Sequence, residues 1–265
     1  MGIITLTTDL GHKDYYLSTV KGKIYSLDAN VKIVDISNEI PPFDLNQTCY
    51  TLENAYRHFP EGTVHIIGVH PSKYDQVRHL ACMYEGQYFI GADNGIFSLL
   101  FEHKPEKIHQ IENGSLSGDD PIFEIREIFS VAAVHLAAGG DIADLGERGL
   151  ILTERQRLRP IVNQHVIKGH VINIDSFENA ITNISRDMFE KAVEDRHFEI
   201  YANPTTTFKS IKKHYNEVPT GEIVALFGTN GMLEIGINQF NQMNHGGASS
   251  LLGINVKDVV RIEIE

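Results

Sequence analysis

The sequence predicts an α/β protein in which a domain with a largely parallel sheet is followed by a smaller all-β domain. Apolar, strand-like runs alternate with helical stretches over about the first 150 residues, a pattern typical of βαβ units. Beyond that point, short β-type segments separated by turn residues favour a small β-barrel or sandwich. The Arg-rich stretch 154–160 ends in a proline between the two patterns, so we expect domains at 1–155 and 160–265.

The first domain is expected to contain five strands and four helices, assigned from runs of apolar residues and from helical spacing. The helix 127–138 has a clear stop in the glycine pair that follows it. The expected strands are Ile3–Leu6, Lys32–Ile36, Thr63–Val69, His79–Tyr84 and Tyr88–Ile90, and the expected helices are Tyr15–Leu27, Leu45–His58, Gly95–Phe101 and Ile128–Ala138.

The second domain is expected to be built almost entirely of strands, because β-type residues alternate there between turn signals. The expected strands are Val162–Ile174, Ala180–Ile184, Glu199–Ala202, Ile223–Phe227, Leu233–Ile237 and Val259–Ile264, with helices at Arg186–Ala192 and Ala248–Leu252.

Composition excludes several classes of partner. The net charge of −12 over 265 residues argues against nucleic acid or an anionic membrane surface. Cys49 and Cys82 fit neither a metal-binding spacing nor a disulfide framework, which is typical of a reducing compartment. Neither a leader-type segment nor a membrane-spanning run is evident, so we expect a cytoplasmic protein.

The common cofactor and nucleophile motifs are missing from the sequence. No Gly-x-Gly-x-x-Gly follows the first strand, and there is no P-loop or Gly-x-Ser-x-Gly elbow. The 13 histidines show no pair at metal-ligand spacing with a carboxylate. We therefore expect neither a bound cofactor nor a metal, and no covalent catalysis.

A carboxylate directly follows the first strand. Asp9 comes shortly after the expected strand Ile3–Leu6, and small ligands of open α/β sheets bind beyond the carboxyl ends of the strands. A carboxylate at this place accepts hydrogen bonds from hydroxyls or pairs with a cation, and it repels phosphate. The alternative is that Thr8 or Asp9 only caps the following helix.

Three other polar loops follow or precede strands, at 91–95, 174–179 and 228–231. The second combines Asp175, Phe177 and Asn179, and such an amide and ring can bind the edge and face of an adenine. Taken singly, each loop is more often a plain turn than a binding site, since Asp, Asn and Gly favour turns.

The motifs, taken in order along nearly the whole chain, resemble those of the S-adenosylmethionine (SAM) hydrolase, or SAM hydroxide adenosyltransferase, family, to which the bacterial fluorinase and chlorinase are related. No single motif is decisive, but the ordered set is specific. The set comprises Thr8-Asp9-Leu10-Gly11 with Asp14, Lys21-Gly22, Val34-Asp35-Ile36, Ile40-Pro41-Pro42-Phe43-Asp44, the segment 86–95, Ile174-Asp175-x-Phe177-x-Asn179-x-Ile181-Thr182-Asn183, and Leu233-Glu234-Ile235-x-Ile237-Asn238.

The resemblance implies a Rossmann-like N-terminal domain, a C-terminal β-barrel, and a homotrimer whose sites lie between one subunit's first domain and its neighbour's second. SAM would be the substrate, with no cofactor, and adenosine and methionine the products. The implied substrate contacts are Asp9 to the ribose, Phe43 over the ribose and methionyl chain, Asp14 and Asp175 to the ammonium, Phe177 and Asn179 to adenine, Thr229 and Asn230 to the carboxylate, and the Gln239 backbone to adenine.

Hydrolases of this family have a triad of Asp, Arg and His that is proposed to activate water, and this sequence departs from the family pattern at all three positions. His70 stands at the Asp position, Glu124 stands at the His position, and Arg78 comes one residue late. In one interpretation the imidazole and carboxylate have exchanged places, and His70, Arg78 and Glu124 still organise hydroxide. In the other, the protein binds an adenosyl ligand without efficient turnover, which the altered loop 72–76 favours. An apparent insertion of about five residues within 239–247 lies beside the expected adenine pocket, so this pocket departs from the family pattern.

Overall fold

The computed structural model describes residues 2–71, 77–112, 122–148, 151–239 and 246–265, and it divides into compact units at Met1–Gln156 and Arg157–Glu265. The altered loop 72–76 and most of the apparent insertion, 240–245, lie outside the described residues.

The first unit is a six-stranded sheet with helices packed on its faces. Its strands are β1 (Ile3–Thr8), β2 (Lys32–Ser37), β3 (Val64–Gly68), β4 (His79–Tyr84), β5 (Gln87–Ala92) and β6 (Lys107–Gln110). Its helices are α1 (Tyr16–Leu27), α2 (Leu45–Tyr56), α3 (Ile96–Leu100), a π-helical turn (Ile125–Phe129) that continues into α4 (Ser130–Ala137), and a 3-10 turn (Ile142–Leu145).

The strand order of this sheet is β2-β1-β3-β5-β4-β6, and β1 pairs in parallel with both β2 and β3. The sheet is mixed: β3 also pairs in parallel with β5, whereas β4 is antiparallel to β5 and β6. Only Glu85 and Gly86 connect β4 to β5, and both have positive φ angles, 50° and 72°. This is the geometry of a two-residue hairpin turn, and so short a connection can join only antiparallel strands.

The second unit is an antiparallel, nearly closed sheet. Its path is β11-β10-β14-β8-β9-β13-β12, with β7 added beside β8. A bridge between Lys212 and Leu226 brings the chain after β11 to β12, the other end of the path. The strands are β7 (Ile161–Val162), β8 (Val166–Ile174), β9 (Ala180–Ser185), β10 (Phe198–Asn203), β11 (Thr206–Phe208), β12 (Ile223–Phe227), β13 (Met232–Ile237) and β14 (Val259–Ile264), with helices α5 (Arg186–Val193) and α6 (Ala248–Leu252) and a 3-10 turn (Tyr215–Glu217).

Each unit has its own apolar core. In the first, α1 buries Leu17, Val20 and Ile24 at helical spacing against one face of the sheet. Helices α2 and α3 cover the other face, where both cysteines are buried as expected of structural thiols. In the second unit, inward residues of the strands form one cluster, as in small barrels. No helix within the described ranges is long and apolar enough to cross a membrane.

A histidine lies inside the first core. His65 of β3 is fully buried, with Nδ1 2.7 Å from Thr5 Oγ1 and Nε2 2.7 Å from Gln87 Oε1. Its ring stacks on Phe89 with 4.7 Å between the ring centres. Burial lowers the pKa of His65 to about 4, because an imidazolium would lose its hydration there.

We predict that this histidine makes the fold acid-sensitive. The unfolded chain binds a proton at His65 below about pH 6.5, whereas the folded protein binds it only near pH 4. The free energy of unfolding should therefore fall by about 2 kcal/mol between pH 7 and pH 5 through this group. Urea unfolding at both pH values checks this: His65→Gln should lose that part of the pH dependence, and the exposed His165→Gln should retain it. Equal pH dependence in the two variants would contradict the prediction.

Candidate functional site

In the first unit, three of the predicted site residues meet at the carboxyl ends of β1 and β3. Asp9 follows β1, and its Oδ2 accepts a hydrogen bond from the backbone N–H of Phe43 at 3.0 Å. The ring of Phe43 meets the ring of His70 edge-on, with 5.1 Å between their centres. Phe43 is two-thirds exposed, so its ring offers an open apolar surface beside a carboxylate and an imidazole.

The backbone geometry of these residues is unusual. Phe43 and His70 both have positive φ angles, 65° and 47°. Asn94 fixes the second of them, because its Nδ2 donates to the carbonyl oxygens of Val69 and His70 at 3.2 and 3.0 Å. The positions of both rings are therefore set by the backbone and by hydrogen bonds.

A buried asparagine fixes the loop that carries Asp9. Thr8 Oγ1 donates to the side-chain Oδ1 of Asn38 at 2.9 Å, and the backbone carbonyl oxygen of Asn38 accepts from the N–H of Gly11 at 2.6 Å. Asn38 Nδ2 in turn donates to Asp35 Oδ1 at 2.8 Å, and Lys21 Nζ binds Asp35 Oδ2 at 2.6 Å. Asn38 thus bonds the chain on both sides of Asp9.

The charge on Asp35 is retained in this network. Its partial burial alone would raise its pKa, but the hydrogen bonds from Lys21 and Asn38 outweigh burial and lower the pKa of Asp35. The ionised Asp35 therefore accepts from the side-chain NH₂ group of Asn38, and this orients Asn38 Oδ1 toward Thr8.

Asp14 lies in the turn before α1 and is exposed. Its neighbours Tyr15 and Tyr16 stack on each other with 4.5 Å between ring centres, and Tyr16 meets Phe123 edge-on. Asp14 is thus on the same connecting segment as Asp9, next to an exposed aromatic surface.

Glu124 is buried and directly precedes the π-helical turn Ile125–Phe129. A Cβ added at Gly68 would lie 2.8 Å from Ile125 Cδ1 and 3.0 Å from Thr8 Cγ2, so the start of this turn covers the ends of β1 and β3. The segment carrying Glu124 therefore lies at the sheet edge of Asp9 and His70. Single π-helical turns are frequent at functional sites.

Arg78 is engaged by the loop after β5. Its guanidinium forms a short ion pair with Asp93, whose side chain is 2% exposed, and donates to the Ile151 carbonyl at 2.7 Å. Asp93 Oδ1 also accepts from the N–H of Thr153 at 2.8 Å. The positive charge of Arg78 is thus balanced by a buried carboxylate.

In the second unit, Asp175 organises the loop after β8. Its Oδ1 accepts from the N–H groups of Phe177 and Asn179 at 2.9 and 2.8 Å, and its Oδ2 accepts from Asn179 Nδ2 at 3.0 Å. Since a carboxylate only accepts, the Asn179 amino group must face Asp175, and its carbonyl oxygen faces Gly236. The Phe177 ring is two-thirds exposed above this loop.

The other predicted contacts lie at the ends of β12 and β13. Thr229 and Asn230 form the tight turn between these strands, where Asn230 Oδ1 accepts from the N–H of Met232 at 3.0 Å. Gln239 follows β13 with a positive φ angle of 53°, and its Oε1 accepts from Thr220 Oγ1 at 3.0 Å. Asp175, Phe177 and Asn179 thus form one cluster, whereas Thr229 and Asn230 share a second turn and Gln239 follows β13 in a third.

Sequence reasoning missed Asn38, Asp93 and Asn94, the residues that hold Asp9, Arg78 and His70 in place. The Asp-Asn-Gly segment after the fifth strand was interpreted as a turn, and it does begin α3, with a φ of 100° at Gly95. Its position at a strand end was the signal that could have identified Asp93 and Asn94. Asn38 carried no comparable signal.

We predict that Asn38→Ala disorders the Asp9 loop. The change leaves Thr8 Oγ1 and the amide-facing oxygen of Asp35 without their partner, and the unfolding free energy should fall by about 1–3 kcal/mol. Thermal or urea unfolding measures this, with Asn54→Ala as the control, because the exposed Asn54 donates to the Tyr50 carbonyl of its own helix at 2.7 Å. Equal losses in the two variants would contradict a special role for Asn38.

Comparisons with known proteins agree with this arrangement along the chain. Residues 4–146 match the model of the SAM hydroxide adenosyltransferase N-terminal domain, and residues 169–261 match that of its C-terminal domain. An (R)-S-adenosyl-L-methionine hydrolase of Thermus thermophilus is 29% identical, covering 96% of this chain and 97% of the relative. A fluorinase of Actinoplanes sp. is 28% identical, covering 72% and 74%.

A solved structure has the same fold. The crystal structure of an uncharacterized conserved protein from Thermotoga maritima superimposes with a TM-score of 0.85 at 29% identity, over 98% of this chain and 99% of that one. Because the two family models together span most of the sequence, with the N-terminal model alone covering more than half, the chain belongs to the SAM hydroxide adenosyltransferase family.

Proposed function

We propose that this protein hydrolyses S-adenosylmethionine to adenosine and L-methionine. The observation that carries the proposal is the cluster of Asp9, Phe43 and His70 at the carboxyl end of the first strand, in a chain matched end to end by curated SAM hydrolases. SAM carries a sulfonium and an ammonium, and candidate carboxylates in both units suit a cation. The net charge of −12 agrees with such a ligand and disfavours nucleic acid.

Each binding role follows from the chemistry of its side chain. Asp9 would accept hydrogen bonds from the ribose hydroxyls, while Phe43 packs over the ribose and methionyl chain. In the second unit, Asp175 would pair with the ammonium and Phe177 would stack on adenine, with the Asn179 amide at its edge. We propose the remaining contacts at Asp14 to the ammonium, Thr229 and Asn230 to the carboxylate, and the Gln239 backbone to adenine.

The reaction needs a water molecule aligned with C5′ and the sulfonium. The water oxygen forms the bond to C5′, the C5′–S bond breaks, and its electron pair leaves with methionine. The sulfonium is already a good leaving group, so no cofactor or metal is required. Alignment accounts for about 7–11 kcal/mol of barrier reduction in well-oriented systems.

His70 is the proposed base that takes the water proton. An imidazole is a competent base near neutral pH, and a positioned base typically contributes about 10²–10⁴-fold. Glu124 would orient or charge-stabilise the imidazolium, and Arg78 would hold the loop that carries the water. Asp93 supports the role of Arg78 by pairing with its guanidinium, and Asn94 supports the role of His70 by fixing its backbone.

A second candidate function is binding of SAM or adenosine without turnover. The ion pair of Arg78 with Asp93 favours it, because a guanidinium neutralised by a buried carboxylate stabilises hydroxide less. The protein would then show a ligand-induced thermal shift and release no product. At 100 times its Kd, a ligand stabilises a protein by about 2.7 kcal/mol.

We predict that purified protein releases adenosine and methionine from SAM, and that His70→Ala lowers kcat by about 10²–10⁴-fold through loss of the base. Chromatographic separation of the products measures this, with His165→Ala, an exposed residue of the second unit, as the control. A thermal shift with SAM but no product after long incubation would contradict hydrolysis and would support binding without turnover.

We also propose a Rossmann-like relationship for the first unit, a cytoplasmic location, and a homotrimer in which each site combines one subunit's first unit with its neighbour's second. The burial of Cys49 and Cys82 as thiols in the apolar core supports a reducing compartment. The distribution of candidate carboxylates over both units supports a composite site. Head-to-tail contacts of this kind close into rings when the rotation allows.

Mixed subunits test this assembly. Asp9→Ala and Asp175→Ala should each be nearly inactive alone, whereas trimers refolded from an equal mixture should regain about a quarter of the wild-type sites, because one in four interfaces then joins two intact halves. Product release by the mixture, against each variant alone, is the measurement. Sites formed within one chain would give no recovery.

A further inference from the structure

A tyrosine and a glutamate lie together on the outward face of β13. Tyr215 begins the 3-10 turn, and its hydroxyl donates a short hydrogen bond to Glu234 Oε1. The turn itself is held by Glu217, whose carboxylate accepts from the N–H groups of Lys213 and His214 at 2.9 and 3.0 Å. The Tyr215 ring is therefore presented by a fixed segment.

This pair continues, through a glycine, to the loop of Asp175. Gly236 lies two residues beyond Glu234 on the same face of β13. A Cβ at Gly236 would lie 2.8 Å from Tyr215 Cε1 and 2.5 Å from Asn179 Oδ1. The tyrosine ring and the Asn179 amide thus both pack onto this glycine. Asn179 then donates to Asp175 at 3.0 Å.

Glu234 also reaches the other proposed binding turn. A Cβ at Gly228 would lie 2.6 Å from Glu234 Oε2, and Gly228 opens the turn that carries Thr229 and Asn230. One carboxyl group therefore contacts, on one side, the tyrosine that packs beside Asn179 and, on the other, the turn between β12 and β13.

The charges explain why the hydroxyl is needed. Burial raises the pKa of Glu234, the hydrogen bond from Tyr215 opposes that rise, and the negative charge of Asp175 adds to it. Burial, the hydrogen bond to Glu234 and the negative charges of Glu234 and Asp175 raise the pKa of Tyr215, so its hydroxyl remains a donor. The Tyr215 hydroxyl thus stabilises the Glu234 carboxylate close to the negative charge of Asp175.

We propose that Tyr215 and Glu234 are a positioning pair, which holds the Asn179 amide against Asp175 and ties that loop to the turn at Gly228. The proposal rests on the proposed function, in which these two loops bind the adenine and the amino-acid part of SAM. Neither Tyr215 nor Glu234 is assigned to the reacting C5′ centre. Their loss should therefore weaken ground-state and transition-state binding equally, which raises KM and leaves kcat unchanged.

Steady-state kinetics with SAM test this in four variants. Tyr215→Phe should raise KM about tenfold with kcat within about twofold, since a hydrogen bond to a charged group is lost. Glu234→Gln keeps an acceptor for the tyrosine and should stay within about threefold of wild type in KM. Gly236→Ala should reproduce the Tyr215→Phe effect by displacing Asn179. The matched control is Tyr201→Phe on β10, whose hydroxyl donates to Glu199 at 2.9 Å.

A substrate-free readout separates this proposal from the proposed function. The side-chain amide signals of Asn179 in a ¹H–¹⁵N spectrum should move in Tyr215→Phe and stay in place in Tyr201→Phe. If wild type hydrolyses SAM while Tyr215→Phe matches Tyr201→Phe in KM and in the Asn179 signals, the positioning role is overturned alone. If the signals move but wild type neither binds nor hydrolyses SAM, the proposed function fails and the effect on KM falls with it. A fall in kcat at unchanged KM would also overturn the positioning role.

Discussion

The parallel pairing of β1 between β2 and β3 is the constraint on which the candidate site depends. It buries β1 and brings its carboxyl end beside that of β3, because Thr8 pairs with Gly68 in register. Asp9 and His70, which are 61 residues apart in sequence, consequently lie at the same edge of the sheet. The hydrogen bonds of Asn38 then fix the backbone path after Thr8, and the hydrogen bond from the N–H of Phe43 fixes the orientation of the Asp9 carboxylate. The open aromatic face beside the carboxylate follows from these contacts.

The sequence predicted the elements better than their connections. Apolar runs between turn residues located β4, β12, β14 and α6 at the bounds that the structure shows. Residues of β14 alternate between exposed and buried, whereas β4 and β12 are buried on both faces. Such runs did not reveal the short strands Lys107–Gln110 and Thr206–Phe208, which are only four and three residues long. The direction of β4 was set by the turn at Glu85 and Gly86, and a strand pattern alone carries no information on direction. The division of Val162–Ile174 into two strands likewise depends on the turn between them.

The candidate site shows a similar division between what can and cannot be predicted. Asp9 was identifiable because small ligands of open α/β sheets bind beyond the carboxyl ends of the strands. Asp175 and Asn179 were identifiable because a carboxylate, an aromatic ring and an amide share one short loop after a strand, and the ring and the amide suit an adenine. The contacts of Asn38 and Tyr215 were not identifiable, since these residues reach their partners across 30 and 19 residues of sequence. Such contacts depend on tertiary packing, and a single sequence without aligned relatives does not reveal them. The two units also use different means: buried amides hold the first loops, and a carboxylate with a tyrosine holds the second.

The left-handed backbone at Phe43 and His70 has a cost for the molecule as a whole. Residues with a Cβ adopt such φ angles at about 1–2 kcal/mol each, whereas glycine adopts them almost freely. Two glycines here would leave the chain more stable and would remove both rings. Keeping phenylalanine and histidine in this backbone conformation therefore lowers folding stability but places their rings. The protein is thus less stable at this edge of the sheet than its fold requires.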